Sequence, residues 1–138
     1  MPSAQSSDSI FHYPVPQRRV ENVVVLFTTM FIYNELGFSW GMFAALFFIP
    51  DLSLAVYFFA GRRIGGIAYN LAHCFVGPVL VGFWGWQTGE TLAQAIALIW
   101  LAHAAFDRAI GWGLKYPDSF CNTDMGVKTL PVDNKYLS

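Results

Sequence analysis

Residues 38–86 read FSWGMFAALFFIPDLSLAVYFFAGRRIGGIAYNLAHCFVGPVLVGFWGW, two long apolar runs on either side of Gly61-Arg62-Arg63. Each run is long enough to cross a hydrocarbon core, which takes about 20 residues in a helix. Two further apolar runs flank them, so the chain reads as four segments: Val20–Leu36, Phe38–Phe59, Ile64–Trp86 and Thr91–Leu114. Threading it through a bilayer four times puts all 8 basic residues at or towards one face. These are Arg18, Arg19, Arg62, Arg63, Arg108, Lys115, Lys128 and Lys135. The opposite connections, at Gly37 and at Gln87–Glu90, carry none. Such asymmetry orients a membrane protein with its basic face in the cytosol. The expected fold is therefore all-α: a multi-pass membrane protein, an antiparallel four-transmembrane-helix bundle with both termini cytosolic.

Composition points the same way. Of 138 residues, 55% are hydrophobic, 17% aromatic and only 12% charged, against about 25% charged in soluble domains. A net charge of -1 gives no footprint for nucleic acid. The polar, Pro-containing start lacks the pattern of a cleaved signal peptide. Residues 1–17 read as a disordered cytosolic tail, 18–115 as the four-helix membrane domain, and 116–138 as a cytosolic C-terminal tail placed to cap a site. Gly37 and Gly61 sit where tight turns are needed, and Pro50 and Gly77-Pro78 should kink or break their helices. Trp40, Trp84 and Trp86 fall at the outer interface and Trp112 and Tyr116 at the inner one, where amphipathic rings prefer to lie. Cys74 and Cys121 are isolated and form no metal motif, and no disulfide is expected.

Polar side chains interrupt the apolar segments. Glu21 lies near the start of the first, and Asp51 follows Pro50 in the second. Asn70 and His73 are three apart on the third; His103 and Asp107 are four apart on the fourth. Each pair shares a helix face. A charged group at a helix centre in a membrane costs about 2.5–3.5 kcal/mol on the insertion scale. Taken singly, these residues read as hydrogen-bonded links between helices. Taken together they do not balance: Glu21, Asp51 and Asp107 bring three negative charges against Arg108, unless a proton or a ligand compensates. Two imidazoles and several carboxylates in an apolar pocket suit general acid–base catalysis. The expected catalytic set is Asp51, His73, His103 and Asp107. Glu21, Asn70, Arg108, Tyr116 and Asp124 are expected to orient substrate or support that set. His and carboxylate also suit zinc or iron, but no His-x-x-x-His or Glu-x-x-His occurs on one helix, so no metal or other cofactor is expected. Neither a phosphate-binding loop nor a nucleophile elbow is present.

The run from Trp100 to Pro117, WLAHAAFDRAIGWGLKYP, resembles the signature of the small integral-membrane family called domain of unknown function 4260. Pro50-Asp51-Leu52-Ser53, Ala68-Tyr69-Asn70-Leu71-Ala72-His73 with Gly77-Pro78, and Glu21 resemble it too. The resemblance covers roughly Arg18 to Gly126 and implies four membrane helices without naming a reaction. The family typically closes with a Phe, a spacer and Thr-His-Leu-Gly. Here the chain has Phe120-Cys121-Asn122-Thr123-Asp124-Met125-Gly126, so Asp124 stands where a His is usual.

The expected function is that of a small integral-membrane enzyme doing acid–base chemistry on a lipophilic substrate: isomerisation, cyclisation, dehydration or epoxide opening, in lipid or secondary metabolism. The alternatives are a non-catalytic membrane scaffold and a proton or cation carrier subunit. With so few helices, a carrier would need a homo-oligomer. The expected partners are the lipid bilayer and a lipophilic small molecule. The topology has a direct test. In a background with both native cysteines replaced by serine, single cysteines at Ser6 and Gln87 should label from opposite sides of sealed vesicles. Equal accessibility would refute the threading.

Overall fold

The computed structural model describes residues 14–114 together with 122–123 and 126–127. The described chain is helical apart from one short ladder. It runs α1 (Pro14–Glu35), α2 (Trp40–Leu46), a 3-10 helix (Ile49–Leu54), α3 (Ala55–His73), α4 (Val76–Thr88) and α5 (Thr91–Ala109). Strand β1 (Asn122–Thr123) pairs antiparallel with β2 (Gly126–Val127).

Glycine and proline set the boundaries. Gly37 has φ +71°. Its N–H donates to the Asn34 carbonyl at 2.9 Å and the Phe38 N–H to the Tyr33 carbonyl at 3.3 Å, the paired bonds of a Schellman stop. Ser39 then caps α2, its hydroxyl accepting from the Met42 N–H at 3.4 Å. Pro50 has no N–H to give, and the helix tightens into the 3-10 turn that carries Asp51. Within α3, Gly61 adopts φ 80°, ψ 177°, a backbone region open essentially to glycine alone. The chain folds back there. A Cβ built on Gly65 would lie 2.9 Å from the Tyr57 Cα, whereas residues eight apart on one straight helix are separated by about 12 Å. Trp40–His73 is the one segment among the described residues long and apolar enough to cross a membrane, an 18-residue stretch of it reaching a mean hydropathy of 1.9. It is a bent hairpin rather than a single rod.

The expected segments are therefore present but not unbroken. The second is divided by the 3-10 turn. The third, expected as Ile64–Trp86, is divided after His73 by extended Cys74, with φ -82° and ψ 158°. Pro78 explains the break, since it has no N–H to offer the carbonyl of Cys74. The resulting α4 has 13 residues, about 20 Å of helix, short of a hydrocarbon core of about 30 Å. The fourth segment ends at Ala109 rather than Leu114, because Gly111, at φ +92°, forms a second Schellman stop. The Gly111 N–H bonds the Arg108 carbonyl at 3.1 Å and the Trp112 N–H bonds the Asp107 carbonyl at 2.7 Å.

Helix α5 lies at the centre, packed between α1 and α4. Its buried positions include Ala93, Ala95, Ala97, Ala102, Ala104 and Ala105. Small residues let helices approach closely where the surroundings are apolar. Among the described residues, Ile99 is the one large aliphatic side chain that is buried, while Phe27, Phe58, Phe59, Leu71, Leu80 and Trp86 are exposed. Phe58 and Phe59 are 88% and 90% exposed. Soluble proteins show the opposite distribution, with bulky apolar side chains inside. Tyr33 closes the far end of the bundle; it is fully buried, and its hydroxyl donates to the Ser39 carbonyl at 2.6 Å. Phe38, Trp40 and Phe43 surround its ring.

The hairpin turn yields a prediction. Gly61→Ala should destabilise the protein by about 1–3 kcal/mol, the usual cost of a non-glycine residue in that conformation. Denaturant unfolding in detergent micelles measures it. An unchanged midpoint would show that the turn tolerates a side chain.

Candidate metal centre

Four of the expected residues converge on one point. Asp51 comes from the first turn of the 3-10 helix, His73 is the last residue of α3, and His103 and Asp107 lie one turn apart on α5. The two Nε2 atoms are 3.1 Å apart. The Asp107 Oδ2 is 3.1 Å from the His73 Nε2 and 3.3 Å from the His103 Nε2. The Asp51 Oδ1 is 3.4 Å and 3.3 Å from the same two nitrogens. One potential ligand atom from each residue lies within 4.8 Å of all the others. The side chains of His73, His103 and Asp107 are 3%, 1% and 13% exposed, and that of Asp51 is 39% exposed. Three groups are thus enclosed, and the fourth stands at the mouth.

Backbone and ring contacts hold this arrangement. The Nδ1 of His73 is 2.9 Å from the Tyr69 carbonyl. A carbonyl can only accept, so Nδ1 carries the hydrogen, and in the neutral ring Nε2 presents its lone pair to the centre. The buried Tyr69 ring stacks on the imidazole at 3.9 Å and 15°. The Trp100 indole N–H donates to the Ala72 carbonyl, tying α5 to the end of α3. Gly77 makes room for it, since a Cβ there would meet the Trp100 ring. Arg108 reaches over the Phe75 ring, 4.1 Å from its centroid, and its guanidinium donates to the His73 carbonyl at 3.5 Å. His103 is held by packing. Phe47 meets its ring edge-on at 5.0 Å, and its Nδ1 has no hydrogen-bond partner among the described residues. The Schellman stop fixes the backbone of Asp107, and the Arg19 guanidinium packs over Gly111.

The other expected residues fare differently. Arg108 touches the His73 backbone as described. Asn70 is half-buried one turn before His73. Glu21 does not join the centre: it is exposed on α1 and accepts from the Gln17 side chain at 3.0 Å. Tyr116 and Asp124 lie outside the described residues, as do 1–13 and most of 116–138; of the expected disordered tail 1–17, the last four residues are instead the first turn of α1, where a proline needs no N–H partner. Tyr69, Trp100 and Phe47 escaped the sequence reading. A signal existed for Tyr69, four residues before His73 on the same face. None existed for Phe47 and Trp100, which look like any apolar helix residue. Beside the centre is an apolar cavity of about 460 Å3, lined by residues that include Pro50, Ala72, Ile99 and Trp100.

Two kinds of cation suit these distances. Each Nε2 has a single lone pair or a single N–H, yet each faces three heavy atoms within 3.4 Å. Protons can satisfy part of that set as an ion-paired quartet. One shared ion can satisfy all of it: ligands tetrahedral about zinc at 2.0–2.1 Å stand about 3.3–3.4 Å apart. A divalent ion would also neutralise the two carboxylates. The Nδ1–H of His73 on a backbone carbonyl is the contact that orients metal-binding histidines. Asp51, His73, His103 and Asp107 are therefore a group able to hold a metal.

An all-helical fold with a centre of two histidines and two aspartates among its helices defines the class. The chain matches, over residues 17–127, the family described as "Domain of unknown function (DUF4260)", and it belongs to that family. No curated protein and no solved structure matches it.

The bridge behind His73 can be weighed. Trp100→Phe keeps the ring packing but removes the indole N–H, and should cost about 1 kcal/mol. Unfolding in detergent measures it; a neutral result would show that the Ala72 carbonyl finds another donor.

Proposed function

We propose that this protein is a small multi-pass membrane enzyme whose Asp51, His73, His103 and Asp107 would hold a divalent ion of the zinc type, which would supply activation of water towards a polarised C–O bond of a lipophilic substrate. The carrying observation is that two imidazole nitrogens lie 3.1 Å apart and each stands 3.1–3.4 Å from an oxygen of both carboxylates. Exposure divides the roles. His73, His103 and Asp107 are the enclosed ligands, the combination of two histidines and one carboxylate found in catalytic zinc sites. Asp51, at the mouth, would complete the set that holds the ion and would serve as the general base. When bound, such an ion would supply Lewis-acid activation of water. Asp51 would take a proton from water and return it to the departing oxygen of the substrate. Epoxide opening and ester hydrolysis belong to this class. The exposed apolar side chains and the apolar cavity support a lipid-facing protein and a lipophilic substrate. The one-sided basic residues support cytosolic termini.

A second reading uses the same residues without metal. His73 or His103, ion-paired to the carboxylates, serves as general acid and Asp51 as base. The ion-pair distances favour it over a scaffold, because a purely structural role would not require four titratable groups at one point.

The two readings separate on elemental analysis of the purified full chain. Metal binding predicts about one ion per chain, lost in His73→Gln and Asp107→Ala. It also predicts a rise in melting temperature on adding zinc to chelator-stripped protein, since a ligand of the native state stabilises it. Asp51→Asn should keep the ion and abolish product formation from candidate lipid epoxides and esters. Folded protein that holds no metal and gains no stability from zinc would sink the metal reading. Activity retained in both Asp51→Asn and His103→Gln would sink both.

A further inference from the structure

We infer that the tip of the α3 hairpin is a docking surface for anionic phospholipid, with Phe58 and Phe59 entering the hydrocarbon border and Arg62 and Arg63 holding headgroup phosphates. Gly61 makes this surface. Its backbone, at φ 80° and ψ 177°, divides α3 into the arms 55–60 and 62–73. The arms fold together, with Tyr57 packed where a Cβ on Gly65 would stand. At the rise of an α-helix, the longer arm carries Arg62 about 17 Å along the chain from His73. The tip is therefore remote from the centre, and the inference stands with or without a metal. Helix α3 packs chiefly against the 3-10 helix and little against α5. Residues 58–64 are all exposed.

Two properties meet at the tip. Phe58 and Phe59 are the most exposed large apolar side chains among the described residues. Beside them, Arg62 and Arg63 form no ion pair among the described residues. No Asp or Glu occurs from Leu52 to Gly89, so the hairpin has two fixed positive charges and no carboxylate of its own to offset them. Phenyl rings gain by leaving water, and guanidinium groups pair with phosphate through two parallel hydrogen bonds. Water alone leaves the rings exposed. A soluble polyanion satisfies the arginines and not the rings. A neutral bilayer takes the rings and leaves the surplus charge unmatched. The headgroup border of an anionic bilayer presents hydrocarbon and phosphate within the reach of one arginine side chain. On the expected threading the tip lies at the basic, cytosolic face, where the leaflet is negatively charged.

The test places an environment-sensitive fluorophore at the tip, on a cysteine replacing Ala60 in the full-length chain with both native cysteines changed to serine. Phosphatidylglycerol or phosphatidylcholine is titrated into its dodecylmaltoside micelles, which are uncharged. Phosphatidylglycerol should shift the emission to the blue with an apparent affinity about 25-fold tighter than phosphatidylcholine, about fivefold for each arginine beside an anionic surface. Arg62→Ala and Arg63→Ala should each remove about fivefold of that preference, and Arg62→Lys and Arg63→Lys should keep most of it. Arg19→Ala, which removes the guanidinium packed over Gly111, should leave the preference unchanged. Phe58→Ser combined with Phe59→Ser should abolish the shift with either lipid. All four tip positions are exposed, so the fold does not depend on these side chains. Equal affinity for the two lipids overturns the inference. So does an Arg19→Ala loss as large as that of Arg62→Ala, which would mark a diffuse basic face rather than a site. A heparin fragment that binds as tightly, and is indifferent to the phenylalanine pair, would make the partner a soluble polyanion instead. Light scattering that shows the phenylalanine pair holding two chains together would make it a second copy.

Discussion

Two carboxylates facing two imidazole nitrogens inside an apolar shell set the terms for the rest of this structure. Buried charge without compensation costs several kcal/mol per ion, so the enclosed groups of His73, His103 and Asp107, with Asp51 at the mouth, are stabilised by meeting one another. They come from three separate elements. The backbone has to bring those elements to one point, and its irregularities serve that end. Pro50 turns the chain just before Asp51. Pro78 forces the break just after His73. Gly61 folds the two arms of α3 together, so that both His73 and Asp51 face α5.

The surroundings are organised to keep that point fixed. Tyr69 does so twice, with its ring stacked on the imidazole and its carbonyl setting the position of the hydrogen. Arg108 and Trp100 both bond carbonyls at the frayed end of α3, at His73 and Ala72. A helix end leaves carbonyls without intrahelical partners, and here they are satisfied by α5, the helix that carries the other half of the centre. The break in the third segment and the centre are thus one construction. An unbroken helix would have no free carbonyl for Trp100 and Arg108 to hold.

The interior and exterior divide the labour. Alanine and glycine at the helix contacts allow close approach, and the bulky apolar side chains are left on the outside. That arrangement gains little from hydrophobic burial. It relies on close packing and on polar contacts between helices, the means by which helices associate where their surroundings are apolar. The aromatic group around Tyr33 secures the end of the bundle remote from Asp107, so the centre need not provide the whole of the cohesion.

Much of this was legible in the chain. Helical class follows from long apolar runs, because backbone polar groups in an apolar setting must be satisfied within the segment. The positions of the turns follow from Gly37, Gly61 and Pro78, whose backbone restrictions are local. The His103–Asp107 pair follows from helical periodicity alone. The polar residues could be picked out because each is costly in an apolar run, though cost by itself does not say which of them meet. Glu21 looked as significant as Asp51 and lies exposed beside Gln17. That Asp51 and His73, twenty-two positions apart, share one partner with His103 and Asp107 was decided by the tertiary fold. The same fold explains why no metal motif stood out along the chain: spacing rules assume ligands on one helix, and here three elements supply them. Local physics determines which residues turn, stop or pair along a helix; only packing determines which buried charges come within reach of a common cation.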